Sequence, residues 1–343
     1  MQRPADAGKA PLASATPNEP SGNAPAKGPA ERETPMSASE ITIARPASRR
    51  LARSKDRMER LMFLVPAGVY LVALTIFPFV YSVYLSLHQA KLTKLHRMRF
   101  IGFDNYAELF TDSLFLDACR NIAVLTVASI TVEILIGFFA AKVFFSLRET
   151  RIGAVLRSAS IMPMMITPIC IGLIFSYIFN PNLGIANFLL GEIGISPLGW
   201  FSDPSLALAT VILINSWQWT PFMMLLMLAG LMSIPAEQYE AAEIEGAKWY
   251  HIAAWIEIPA IRGIVLVGII LRVIDNLRLF DIVYVTTRGG PGSSTEIVTF
   301  FAYKQDFQYF QVGYGSAAAV VILFASVIIT AITVKYLRSA EDD

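Results

Sequence analysis

From Leu61 to Leu87 the chain carries no charged side chain. A helix needs roughly 20 apolar residues to cross ~30 Å of hydrocarbon, and this run is longer than that. The runs 158–180 and 205–232 are equally free of charge, and 313–334 is a fourth such run. Two more, 119–145 and 263–285, are apolar but interrupted. Glu133 breaks the first, and the second holds Arg272, Asp275, Asn276, Arg278 and Asp281. These six stretches predict an all-α integral membrane protein with six transmembrane helices. Composition agrees: 16% of the residues are charged, against about 25% in soluble domains. Mean hydropathy is +0.52.

The first 48 residues are rich in Pro, Ala, Ser, Gly and Glu, with few large apolar side chains. They cannot bury enough surface to offset their ordering entropy, so a disordered tail is expected over 1–48. It holds no apolar core of the length a signal peptide needs. The transmembrane domain is expected over 49–343. The net charge of +1 excludes a bulk preference for nucleic acid. The two cysteines, Cys119 and Cys170, lie in apolar stretches and suggest neither a disulfide nor a metal site.

Lysine and arginine set the orientation. A cluster of Arg49, Arg50, Arg53, Lys55, Arg57 and Arg60 precedes the first span. With the residues of alternate loops and the C-terminal end, one side collects thirteen cations and the other six. Both termini are therefore expected on the cytoplasmic side. The first outer loop works against this, because it carries Lys91, Lys94, Arg97 and Arg99.

The loop 233–262, between the fourth and fifth spans, carries the most information. Pro235 suits a helix start, and Glu237 and Glu240 sit where the helix dipole favours acids. Gly246 can adopt positive φ and end that helix. A second helix is expected to stop at Pro259. The result is a helix-turn-helix outside the membrane, with Ala241 and Ala242 small enough for a partner backbone to approach. An amphipathic hairpin lying on the lipid surface is the plainer alternative. The spacing argues against it: Glu240-Ala241-Ala242, three residues, Gly246, nine residues, Ile256, one residue, Ile258-Pro259.

That pattern resembles the EAA loop of binding-protein-dependent ABC importer permeases, with isoleucine at 258 where the family usually has leucine. Phe100-Ile-Gly-Phe-Asp-Asn105-Tyr106, Trp219-Thr220-Pro221-Phe222 and the run from Phe280 to Glu296 are similar to further segments of the carbohydrate-uptake branch. The resemblance covers roughly 60–338. It implies the type I importer permease fold in a bacterial inner membrane, with the loop as the coupling helix that docks on an ATP-binding subunit dimer through Glu240, Ala241, Ala242, Gly246, Ile256 and Pro259. The implied partners are that ATPase, a second homologous permease, an extracytoplasmic solute-binding protein and membrane lipid.

A phosphate-cradling loop needs Gly-x-x-x-x-Gly-Lys-Ser/Thr, and none occurs. No cofactor is expected on this chain, and ATP and Mg belong to the partner ATPase. No His-Glu-x-x-His, Gly-x-Ser-x-Gly or Cys-x-x-Cys is present, and His88, His96 and His251 fall in loops or at span ends. The chain is expected to be a pore subunit rather than an enzyme.

Polar groups within a span are costly and tend to face a cavity or one another. Arg272, Asp275 and Asn276 share one helical face near mid-membrane, while Arg278 and Asp281 rotate away toward the outer rim. Asn215 and Gln218 lie in the fourth span beside Trp217 and Trp219, with Pro221 expected to interrupt the helix locally. Amides beside aromatic faces suit a sugar. Asn215, Gln218, Arg272, Asp275 and Asn276 are the candidate solute path. The alternative is that Arg272 and Asp275 only lock helices together. Glu133 reads more simply as a hydrogen bond to a neighbouring helix than as a partner for Arg272. Two other functions are weaker. An ion-driven secondary transporter calls for a carboxylate relay and internal repeats, which are not evident. A membrane enzyme would need a surface carboxylate cluster, and Glu237, Glu240, Glu243 and Glu245 are more simply a solvated helix face.

Overall fold

The computed structural model describes Met62 and residues 64–341. The expected tail over 1–48 and the basic cluster from Arg49 to Arg60 lie outside the described residues. Five described helices are long and apolar enough to cross a membrane: Leu64–Ser86, Ser113–Ser146, Pro204–Met232, Trp249–Leu277 and Val312–Ile332. A bent pair, Arg151–Met165 and Pro168–Ile178, supplies a sixth, in third position. With the bent pair taken as one span, the described residues hold up to six spans, the number expected, and three of them differ in form.

The second span starts at Ser113, earlier than expected, because Asp112 caps it. The Asp112 side chain accepts the amide of Leu114 at 2.8 Å, which satisfies one of the orphan donors of a helix start.

The third is not a straight span over 158–180. It turns through 97° at Ile166 and Thr167, whose backbones are extended. Pro168 bars its predecessor from the helical region and offers no amide to the preceding turn.

The fifth span was expected over 263–285 after a helix ending at Pro259. Instead one helix runs from Trp249 to Leu277, straight through that proline. A wide turn over Ala253–Glu257 makes this possible. There the amide of Ile258 reaches the carbonyl of Ala253, five residues back. Opening the backbone by one residue relieves the pressure of the proline ring on the preceding turn. The helix then stops at Leu277, short of 285, and a separate short helix, Asp281–Thr286, follows. The fourth span likewise remains helical through Pro221, which is buried among close-packed neighbours.

Spans two, four and five form the packed centre. Glycines permit the close approach: a Cβ at Gly137 would lie 3.1 Å from the Met224 amide, and one at Gly230 would lie 2.9 Å from Ile261. The first span by contrast presents apolar side chains outward along most of its length, where hydrocarbon solvates them. Its outer end is clasped by the Phe100–Tyr106 segment. Asn105 donates to the carbonyls of Ser86 (2.7 Å) and His88 (3.1 Å), and the Tyr106 hydroxyl meets that of Ser86 at 2.7 Å. A two-residue antiparallel ribbon pairs His88–Gln89 with Arg99–Phe100.

Candidate functional site

Two regions emerge, one among the spans and one in the loop between the fourth and fifth spans. In the membrane, Arg272 of the fifth span is 1% exposed and Glu133 of the second is 0% exposed. They join through two bonds of 2.7 Å, from Nε to Oε2 and from Nη2 to Oε1. Bidentate, charge-assisted geometry of this kind is the strongest pairing an arginine makes. Glu133 is thus the partner of Arg272, not a hydrogen bond to some other helix. The guanidinium also donates to Asp275 at 2.5 Å and to Asn276 at 3.1 Å, and it lies 4.6 Å from the Trp219 ring centre. Asn215 donates to Asn276 at 2.9 Å and to Ser129 at 3.2 Å. Spans two, four and five therefore meet in one polar cluster.

Gln218 does something different. Its amide donates at 3.1 Å to the carbonyl of Ile166, at the bend of the third span. Backbone freed at a bend within a span is satisfied here by a neighbouring helix.

In front of the cluster is a cavity of about 220 Å³ lined by Pro168, Gln218, Trp219, Asp275, Arg278, Leu279, Phe280 and Asp281. It sits where both broken helices start again, at Pro168 and at Asp281. The two short pieces pack on each other, with Gly172 against Val285. Of the five residues predicted for the solute path, Gln218 and Asp275 line this cavity, and Asp275 is 37% exposed. Asn215, Arg272 and Asn276 lie buried behind it. Arg278 and Asp281 do not rotate away. The helix ends at Leu277, so the 100° rule stops applying and the chain brings both back to the cavity. Several buried polar atoms here lack a partner: Asn215 Oδ1, Ser216 Oγ, Gln218 Oε1 and Asn276 Nδ2.

In that loop, Ala236–Ile244 forms the short helix expected from the sequence. Gly246, at φ +69°, ends it. The amide of Ala247 reaches the carbonyl of Ala242 at 2.9 Å and that of Gly246 reaches Glu243 at 3.0 Å, which satisfies the last carbonyls of the helix. Glu240, Ala241 and Gly246 are exposed, and nothing lies within 4 Å of a Cβ built on Gly246. Ala242 is buried against the chain itself, Ile256 is half-buried, and Pro259 lies within the continuous fifth helix. Beneath the short helix, Phe145, Arg148, Met232, Tyr239, Glu240 and Glu243 help enclose about 360 Å³. Burial first, and the charge of Glu257 second, push the Tyr239 hydroxyl up to about 12.

One contact was absent from the sequence reading. Lys142 of the second span lies 2.7 Å from Glu257 in the wide turn. No donor is aligned with Glu257 Oε2 as a hydrogen bond, but at that distance ionic attraction decides.

Residues 133–340 match the family described as binding-protein-dependent transport system inner membrane component. The chain belongs to that family and is a multi-pass transmembrane subunit of a binding-protein-dependent importer. It is 31% identical over 83% of its length to the sulfoquinovosyl glycerol transport system permease protein SmoG of Agrobacterium fabrum, covering 92% of that protein. It is 31% identical to the trehalose/maltose permease MalF of Thermococcus litoralis, over 81% of this chain and 92% of that one. It is 32% identical to the trehalose permease SugA of Mycobacterium tuberculosis, over 85% and 93%. The fold is similar to that in a crystal structure of a bacterial ABC transporter for the acidic polysaccharide alginate. That match has a TM-score of 0.72 at 19% identity, over 84% of this chain and 99% of that one.

Proposed function

We propose that this chain is one half of the pore of an ATP-driven importer for a sugar or related polyhydroxy solute. Energy comes from a separate ATP-binding subunit dimer that carries ATP and Mg. A second homologous permease completes the pore, an extracytoplasmic protein delivers the solute, and both termini lie in the cytoplasm. The relatives named for glycosides support the solute class. The observation that carries the solute path is the set of orphaned polar atoms around Asn215, Gln218 and Asn276. Each such group costs about 1–3 kcal/mol when buried without a partner. An open state that admits water or hydroxyl groups relieves that cost, so these side chains favour a cycle in which the centre opens. The cavity supplies an amide, two carboxylates, a guanidinium and aromatic faces at Trp219 and Phe280, which match the hydroxyls and C–H patches of a sugar.

In the proposed coupling role, Glu240, Ala241 and Gly246 face the ATPase, while Ala242, Ile256 and Pro259 hold the loop to the spans. Gly246→Asp tests this cleanly. Aspartate tolerates positive φ better than most residues, and the chain itself leaves the space open. The variant should reach the membrane at normal abundance yet fail to retain the ATPase in a pull-down and fail to import. Wild-type binding and uptake would remove the loop as the docking element. Purified alone, the chain should hydrolyse no ATP. Uptake by this chain alone, driven by a proton or sodium gradient, would favour the secondary-transporter reading instead.

A further inference from the structure

We propose that Lys142 and Glu257 form a strut that passes movement of the ATPase-docking loop to the second span, and that the pair sets how tightly ATP turnover is coupled to transport. This rests on the docking role of the loop.

Glu257 falls inside the loop motif, between Ile256 and Ile258-Pro259, in the wide turn that joins loop to span. It is 3% exposed, and Lys142 is 23% exposed. The Lys142 ammonium also lies 5.7 Å from the ring centre of Trp249, which opens the long fifth helix, and 5.9 Å from that of Phe138. One helical turn further along the second span, Phe145 packs against Tyr239 of the short helix at 5.6 Å. Positions 138, 142 and 145 share one face by their spacing of four and three. That face grips the short helix, the start of the long helix and the turn between them.

A near-buried ion pair is poor evidence for stability, since apolar packing often serves as well. What it adds is resistance to sliding, because a point charge held at 2.7 Å cannot shift along its partner as methyl groups can. The second span then carries the displacement inward. Glu133 lies nine residues earlier on the same helix, about 14 Å toward the membrane centre, and holds Arg272. Movement at the loop therefore reaches the residues behind the cavity through two ion pairs on one rigid helix.

The test uses the full complex in lipid vesicles with Lys142→Gln, Glu257→Gln and the reversed pair Lys142→Glu/Glu257→Lys. Three quantities are read: ATPase retained in a pull-down, ATP hydrolysed, and solute imported per ATP. Each single variant should retain the ATPase and hydrolyse ATP, yet import several-fold less solute per ATP. The reversed pair should regain most of the ratio. A wild-type ratio in both single variants, or a reversed pair no better than the worse single one, overturns the strut. Gly246→Asp, which leaves both strut residues in place, separates the two claims: wild-type ATPase retention by that variant refutes the docking reading itself. A second measurement does not depend on charge variants. Spin labels at Ser146→Cys and Gln238→Cys, with Cys119 and Cys170 replaced by serine, report the distance between span and short helix. It should stay fixed when ATP binds, and a change of distance on ATP binding overturns the proposal.

Discussion

Removing Arg272 should cost far more than removing either of its partners, and the ranking follows from who is left stranded. Arg272→Met leaves Glu133 fully buried and without a countercharge, so it must either stay charged in a dry site or take up a proton. Breaking one side of a buried pair in this way costs about 3–5 kcal/mol. Asp275 also loses its partner, but at 37% exposure it can hydrate from the cavity and adds little. Glu133→Gln is milder. Its amide oxygen still accepts from the guanidinium, and Arg272 keeps Asp275 at 2.5 Å. A loss of about 1–3 kcal/mol is expected, typical for a charged hydrogen bond. The double variant Arg272→Met/Glu133→Gln strands no charge, so it should be more stable than Arg272→Met alone. The assay is unfolding of the purified chain in mixed detergent and dodecyl sulfate, followed by tryptophan fluorescence, for all four members of the cycle. An additive cycle, or an Arg272→Met variant as stable as wild type, would refute the claim that the pair holds spans two and five together.

Further outcomes follow from other sites. Gly137→Leu should destabilise by about 1–3 kcal/mol through overpacking against Met223 and Met224, read in the same unfolding assay. Burial pushes the Asp306 carboxyl, in the segment just before the sixth span, up to about 7 from an ordinary 3.8. The folded chain then binds the extra proton between those values, so stability should fall as pH rises from about 4 to 7 and level off above. Asp306→Asn should flatten that slope, and an unchanged slope would refute the assignment. For topology, a reporter active only in the cytoplasm should work when fused after Asp343 and stay silent near Gly290; the reverse would invert the orientation. Gln218→Ala and Asp275→Asn should each alter import of one sugar relative to an analogue while the complex still assembles. Unaltered selectivity in both would detach the cavity from the solute path.

The number of spans was legible because hydrocarbon demands long apolar helices, and a charge-free run such as 205–232 has no other simple fate. The loop motif was legible because Gly246 and Glu237 in the first turn of its helix act locally. The breaks were not. Pro168, Pro221 and Pro259 look alike in sequence, yet only at Pro168 does a span turn sharply. What distinguishes them lies elsewhere in the chain. Gln218, distant in sequence, takes the carbonyl of Ile166 at the bend. The wide turn over Ala253–Glu257 absorbs Pro259 instead, so that helix continues. Arg278 and Asp281 return to the cavity for a related reason: the helix that would have turned them away ends at Leu277.

Ion pairs show the same limit from another side. Glu133, Lys142, Glu257 and Arg272 are four ionisable residues in or beside apolar helices, and sequence alone leaves their pairing open. Only the packing of the second span against the fifth matches Glu133 with Arg272 and Lys142 with Glu257. Once matched, they explain why charges sit at these depths at all. One pair lies among the spans behind the cavity, and the other lies at the end of the spans beside the loop. Both join the same two helices, so neither helix can rotate or slide without breaking a buried contact. The half-helices Pro168–Ile178 and Asp281–Thr286 have no ion pair to that frame among the described residues, and their starts form the mouth of the cavity. If the centre opens as proposed, the junctions at Ile166–Thr167 and Arg278–Phe280 are where those two short pieces can move, and the Gln218 bond to the Ile166 carbonyl is the contact that has to yield at the first.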